Sequence, residues 1–209
     1  MSDPGRPTVL ILGGTTEARA LAEAADARWG ERVDLLTSLA GRTRQPAALP
    51  GRVRTGGFGG AAGLARFLES EGIAWLVDAT HPFARTMPAN AAAAAARAGV
   101  PRLRLERPPW RPGPGDRWIP VADMAEAARR LPGLAGRALV TVGAQEAAAF
   151  ADLDGVEVTV RLIERAGLPA ERPGFRVISD RGPFTEAGER ALLAETGAEA
   201  LVTKNSGGD

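Results

Sequence analysis

The sequence predicts an α/β protein in two halves, each a parallel sheet flanked by helices. Three observations point there. Short apolar runs alternate with Ala-rich stretches of helical length along the whole chain, the pattern of consecutive βαβ units. Near the middle, Arg107–Gly115 (RPPWRPGPG) interrupts that alternation with a density of Pro and Gly in which neither a helix nor an inner strand persists. A glycine turn, GGTTEAR, follows directly on the first apolar run.

Taken in order, the apolar runs place strands at Thr8–Leu12, Val33–Thr37, Trp75–Asp78, Arg102–Leu105, Ala138–Val142, Val156–Val160, Arg176–Ile178 and Ala200–Thr203. Helices are expected near Glu17–Trp29, Ala61–Glu71, Ala89–Ala98, Asp123–Leu131, Gln145–Ala151 and Phe184–Thr196. The stretch ANAAAAAARAG reads as a helix packed closely on the sheet, because alanine is the best helix former and Gly99 is a natural terminator. The Pro-rich hinge then gives a first domain over residues 1–106, a linker over 107–115 and a second domain over 116–209, with about four strands in each half. A cleft between two such halves is a favoured place for a ligand.

Composition narrows the function. At 209 residues, 44% hydrophobic and 24% charged, the chain is an ordinary globular sequence. Its net charge of +1 argues against a dedicated nucleic-acid surface. Lys204 is the only lysine among 26 basic residues, so an anionic ligand would be met mostly by planar guanidinium forks. The absence of cysteine excludes disulfides, thiolate nucleophiles and cysteine-based zinc sites, and a single histidine, His81, excludes a multi-histidine metal site. No bound metal is expected. The four-residue apolar run Val9–Leu12 is too short for a signal core or a membrane span, so a cytoplasmic protein is expected, as a monomer or small homo-oligomer.

Four segments carry chemistry. The turn Gly13–Arg19 opens a helix, and backbone N–H groups at a helix N-terminus stabilise a phosphate. It departs from the regular G-x-G-x-x-G spacing, with Thr15 and Ala18 in the later glycine places, so dinucleotide binding and a plain tight turn both remain open. The second strand runs into TSLAGRT, which offers Ser38 and Arg42 where an NAD site would place an acid; Asp34 lies at the strand's beginning, at the wrong edge. That choice favours a 2′-phosphate over a free ribose hydroxyl. RTGGFGG, Arg54–Gly60, supplies glycines that let a flat ring or pyrophosphate approach the backbone. Finally DATHPFA, Asp78–Ala84, holds the sole histidine at the carboxyl end of a strand, where ligands of open α/β sheets bind. Pro82 restricts His81 to extended geometry, and Asp78 or Thr80 can hold the imidazole.

Together ILGGTTEAR, TSLAGRT, RTGGFGG, DATHPFA with Asn90, RLERPPW and VTKNSGG resemble the precorrin-6A reductase family of cobalamin biosynthesis, in the expected order over nearly the whole chain. The resemblance implies two Rossmann-like domains and NADPH-dependent reduction of a ring double bond of precorrin-6A, giving precorrin-6B. It implies that Gly13, Gly14, Thr15, Thr16, Glu17, Ala18, Ser38, Arg42, Thr55, Gly56 and Gly57 lie along the cofactor. A tetrapyrrole substrate would then meet Asp78, Thr80 and Pro82 from the first domain and Lys204, Asn205 and Ser206 from the second. His81 is expected to position substrate rather than donate a proton, since a conjugated macrocycle delocalises the arriving electron pair. Arg85, Arg107, Arg111, Arg161 and Arg176 are candidates for the substrate carboxylates. Members of the family usually continue past KNSGG with another helix and strand, so the second domain is expected to lack its C-terminal end. The competing expectations are a cobalt-containing form of the same substrate and a non-catalytic dinucleotide-binding module.

Overall fold

In a computed structural model, the described residues are 5–41, 48–163, 172–182 and 184–208. The chain divides into two compact units, one running to Trp110 and including the segment from Ser206 on, the other from Arg111 to Asn205.

The first unit contains β1 (Thr8–Leu12), α1 (Thr16–Trp29), β2 (Asp34–Leu39), β3 (Arg52–Thr55), α2 (Gly60–Ser70), β4 (Ile73–Asp78), α3 (Met87–Ala98) and β5 (Arg102–Arg104). The strands form one sheet in the order β3-β2-β1-β4-β5, and every pairing is parallel. β1 is central, and its Leu10, Ile11 and Leu12 are buried on both faces. Leu10 and Leu12 pack with Leu64 and Leu68 of α2 and Ala91 and Ala94 of α3, while Ile11 turns to Ala18 and Ala22 of α1. Helices therefore cover both sides, which a sheet of parallel strands requires. The alanine face of α3 lets its backbone approach α2 and the sheet closely. Gly99 ends that helix in the left-handed conformation.

Strand order reverses between β2 and β4 on either side of β1. Such a switch point opens a crevice beyond the carboxyl ends of the strands. Register places Leu12 opposite both Ser38 and Asp78, and Leu39 opposite Thr55. The three glycine-containing or histidine-containing loops of the first unit thus leave the sheet at one edge.

The second unit contains α4 (Met124–Arg130), β6 (Arg137–Val140), α5 (Ala144–Ala147), β7 (Glu157–Leu162), β8 (Phe175–Ser179), α6 (Glu186–Thr196) and β9 (Ala200–Val202). Its sheet has the order β8-β7-β6-β9, again all parallel, the same winding as the first four strands of the first unit. Fully buried Phe150 packs with Val140, Val158 and Val160, and its truncation to alanine would cost about 3–5 kcal/mol. Among the described residues no helix is long and apolar enough to cross a membrane.

Three elements differ from the expectation. β3 reads as no strand in the sequence, because RVRT is a mostly exposed edge strand with no apolar run. The helix expected over Gln145–Ala151 is one α-turn followed by a 3-10 turn at Ala148–Phe150. The last helix begins at Glu186 because the Thr185 hydroxyl caps it, accepting from the Gly188 N–H.

Candidate functional site

The turn after β1 is fixed from three sides. Gly13 N–H donates to the Ser38 carbonyl at 2.9 Å, and Ala79 N–H donates to the Leu12 carbonyl at 3.0 Å. Thr15 is the N-cap of α1: its Oγ1 accepts from the Ala18 N–H at 3.1 Å and donates to the Ala79 carbonyl at 2.9 Å. The Ala18 N–H is consequently spent on the cap, and Ala18 itself is buried. Gly14, with φ +108°, has nothing within 4 Å of where a Cβ would stand, so its backbone faces open space. Gly14 and Thr16 are exposed at the helix end, where first-turn N–H groups lack intrahelical acceptors.

Beside it, Arg54 organises the ends of β2 and β3. One Nη donates to Ser38 Oγ at 2.7 Å and to the Gly56 carbonyl at 3.0 Å, and the other to the Gly57 carbonyl at 3.1 Å. The guanidinium carbon lies 4.0 Å from the Phe58 ring centroid and 5.0 Å from that of Phe67. Burial lowers the Arg54 pKa, though the group remains a cation. Because Ser38 Oγ accepts from Arg54, its own O–H is directed to another acceptor. Gly56 N–H donates to the Leu39 carbonyl at 2.9 Å, which pins the loop to the sheet, while Gly56 and Gly57 each have open space where a side chain would be. Thr55 is exposed at the end of β3. Arg42, expected near the same place, lies outside the described residues.

On the other flank of β1, Asp78 is 1% exposed, and its Oδ1 accepts from the Thr80 hydroxyl at 2.6 Å and the Thr80 N–H at 3.2 Å. Its buried Oδ2 has no partner among the described residues. Thr80's hydroxyl hydrogen is thereby committed to Asp78, which corrects the expectation that Thr80 donates to the imidazole. His81 Nδ1 instead accepts from the Phe83 N–H at 3.1 Å, so the neutral ring carries its proton on Nε2. His81 and Pro82 are half-buried.

The terminal KNSGG motif is divided between the units. Lys204 Nζ lies 2.6 Å from Glu146 Oε2, both in the second unit. Ser206 to Gly208 belong to the first, not to the second domain where the sequence reading put them. There Arg107 Nε donates to the Ser206 carbonyl, Arg107 Nη1 lies 2.7 Å from Glu17 Oε1, and Trp110 Nε1 donates to the Gly208 carbonyl at 2.9 Å. Gly207 must be glycine: its φ is +68°, and a Cβ would stand 2.0 Å from the Pro108 carbonyl oxygen. Glu17, expected along the cofactor, is thus engaged by Arg107. Two substrate arginines are engaged as well, Arg107 here and Arg161 with Glu189 and, 3.8 Å away, the Phe184 ring. Arg85, Arg111 and Arg176 are exposed. Sequence reasoning missed the part of Arg54, for which its place at the head of RTGGFGG was the available signal.

These motifs have counterparts in known proteins. The family described as "Precorrin-6x reductase CbiJ/CobK" matches residues 8–209. A precorrin-6A reductase of Rhodococcus erythropolis is 48% identical over 96% of this chain and 79% of its own length, and one of Sinorhizobium sp is 46% identical over 97% and 77%. A cobalt-precorrin-6A reductase of Priestia megaterium is 30% identical over 95% and 80%. A solved structure of a CobK precorrin-6A reductase superposes with a TM-score of 0.87 at 40% identity, covering 97% of this chain and 79% of that one. With the match running through both units, the chain belongs to the precorrin-6x reductase family.

Proposed function

We propose that this chain reduces a ring C=C bond of precorrin-6A to give precorrin-6B in cobalamin biosynthesis, with NADPH held on the first unit. The observation that carries the reading is the tie between the Gly13–Thr16 turn and the Asp78–Pro82 loop, through Thr15 Oγ1 and the Ala79 carbonyl, across the switch point of a parallel sheet. It puts an anion-binding helix end beside the loop that holds the sole histidine.

The residues present fit a dinucleotide phosphate. Gly14, Gly56 and Gly57 expose backbone to open space, and Ser38 with Arg54 offers a hydroxyl donor backed by a cation at the carboxyl ends of β2 and β3. A 2′-phosphate suits that pair better than a free ribose hydroxyl, and Arg42 would add a second cation there. NADPH supplies the hydride when bound. Reduction of a C=C bond also needs a proton at the second carbon and a fixed approach of the two reactants, to which these side chains contribute by holding, orienting and excluding water. His81, with its proton on Nε2, donates a hydrogen bond to substrate; Asp78 and Thr80 shape its loop. In the second unit Lys204 and Asn205 remain the residues assigned to the macrocycle, with the Lys204 ammonium placed by Glu146.

The metal-free substrate is favoured over its cobalt form by the identities: 42–48% to proteins named precorrin-6A reductase against 29–31% to those named cobalt-precorrin-6A reductase. The test is anaerobic spectrophotometry of NADPH consumption with precorrin-6A and with cobalt-precorrin-6A in parallel. Faster turnover of the metal-free ring is expected. Turnover confined to the cobalt ring would reverse the substrate assignment, and dinucleotide binding without turnover of either would leave a binding module.

A further inference from the structure

Glu17 poses an electrostatic problem. An acid in the first turn normally suits the helix dipole, yet here the same helix end is assigned to phosphates, which an ionised carboxylate repels. Burial alone would raise the Glu17 carboxyl, but bonds from its own backbone N–H and from Arg107 outweigh that and hold it below the ordinary carboxylate value, so it is charged at neutral pH.

The answer comes from ninety residues away. Arg107 lies 2.7 Å from Glu17, and both side chains are largely shielded, 18% and 31% exposed. The guanidinium cannot swing away freely, because its Nε is bonded to the Ser206 carbonyl and the returning backbone at Gly207 abuts the Pro108 carbonyl. Gly208 closes on the same group, with the Arg107 side chain 3.4 Å and the Glu17 carboxylate 3.9 Å from where its Cβ would stand. The motifs RLERPPW and NSGG, which no step of the reduction uses, meet at this one ion pair.

We propose that Arg107 is a positioning residue for cofactor binding: it neutralises Glu17 at the head of α1, so that the Gly13–Ala18 turn accepts the anionic dinucleotide, and the Ser206–Gly208 segment clamps it there. The inference rests on the reading that this turn receives the cofactor phosphates. Arg107 touches neither phosphate nor substrate in this role; it acts through the charge of Glu17.

The test is NADPH titration of the full chain by fluorescence or calorimetry, with thermal melts alongside. Arg107→Ala is expected to weaken NADPH binding about tenfold, and Arg107→Ala combined with Glu17→Gln to recover most of that loss although the bond to Ser206 stays broken. Recovery is a readout that a purely structural role would not move. Equal weakening in the single and double variants would overturn the proposal and make Arg107 a fastener of the chain; so would unchanged affinity in Arg107→Ala. If the alanine variant does not fold, Arg107→Lys decides: it keeps the charge, and affinity close to wild type is expected, whereas a tenfold loss in a folded lysine variant would overturn the idea. Failure of the wild-type chain to bind NADPH would overturn the cofactor reading itself, an outcome distinct from all of these.

Discussion

Thr15 and Ala79, far apart in sequence, are joined by a 2.9 Å hydrogen bond from the threonine hydroxyl to the alanine carbonyl. The same oxygen accepts from the Ala18 N–H, so one side chain caps α1 and ties the two loops that flank the switch point. Thr15→Val keeps the shape and removes both bonds. Loss of an N-cap costs about 1 kcal/mol and loss of the second bond about as much, so the variant should be destabilised by about 1–3 kcal/mol. Urea unfolding should show a lower midpoint with unchanged slope, and Thr15→Ser should restore it. A valine variant as stable as wild type would remove the tie from the account.

Arg54 gives the second prediction. It braces Ser38 and the carbonyls of Gly56 and Gly57, and it is the described cation at the end of β2. Arg54→Ala should weaken NADPH more than NADH, by about tenfold to a hundredfold in the ratio of dissociation constants, the value of a charge-assisted hydrogen bond. Arg54→Lys retains the charge but cannot hold three acceptors in one plane, so it should fall between wild type and alanine. Equal losses for both cofactors would mean that Arg54 only supports the glycine loop and that the 2′-phosphate is met elsewhere.

The contrast between β1 and β3 explains what the sequence made legible. TVLIL is buried on both faces at the centre of a parallel sheet, so it reads as a continuous apolar run and its bounds are found to the residue. RVRT is held only by pairing to β2 at the sheet edge and carries no burial signal, so a strand that positions Thr55 and Arg54 passes unseen. The site divides the same way. The glycine turn, its threonine cap and the histidine loop are local patterns with local physics. The partners of Glu17 and Ser38 are set by pairing across the fold, and the return of Ser206–Gly208 to the first unit depends on a clash that only folded geometry reveals. The alternation of apolar and helical stretches tells that segments are strands and helices, not which side chains they bring together.

Glu17 gives a pH signature. Its carboxyl titrates below the ordinary value of 4.5, so the stability it contributes is fully present above that value and is lost as pH falls through the lowered folded value. Wild type should therefore be more stable than Glu17→Gln at neutral pH, with the difference shrinking on acidification below about 4.5. Urea midpoints of the two proteins along a pH series measure it. A difference that stays constant into acid would show that the Glu17–Arg107 pair adds nothing to stability.

His81 allows a clean separation of positioning from acid catalysis, because its Nδ1 is already used. That atom accepts from the Phe83 N–H and holds the loop; only Nε2 is left to face substrate. An asparagine side chain can present its carbonyl oxygen where Nδ1 stood, so His81→Asn keeps the loop bond and removes the imidazole proton, while His81→Ala removes both. If His81 positions substrate, the asparagine variant should lose activity moderately, mainly through a raised KM, with NADPH affinity near wild type. The alanine variant should lose more, since its loop is released. General acid catalysis contributes about a hundredfold to ten-thousandfold, and that loss appears in kcat at saturating substrate. Steady-state rates of the two variants over a full range of precorrin-6A therefore decide the matter: a collapse of kcat in His81→Asn that saturation does not repair would make His81 the proton donor, and normal kinetics in both variants would leave it no part in the reaction beyond the loop it closes.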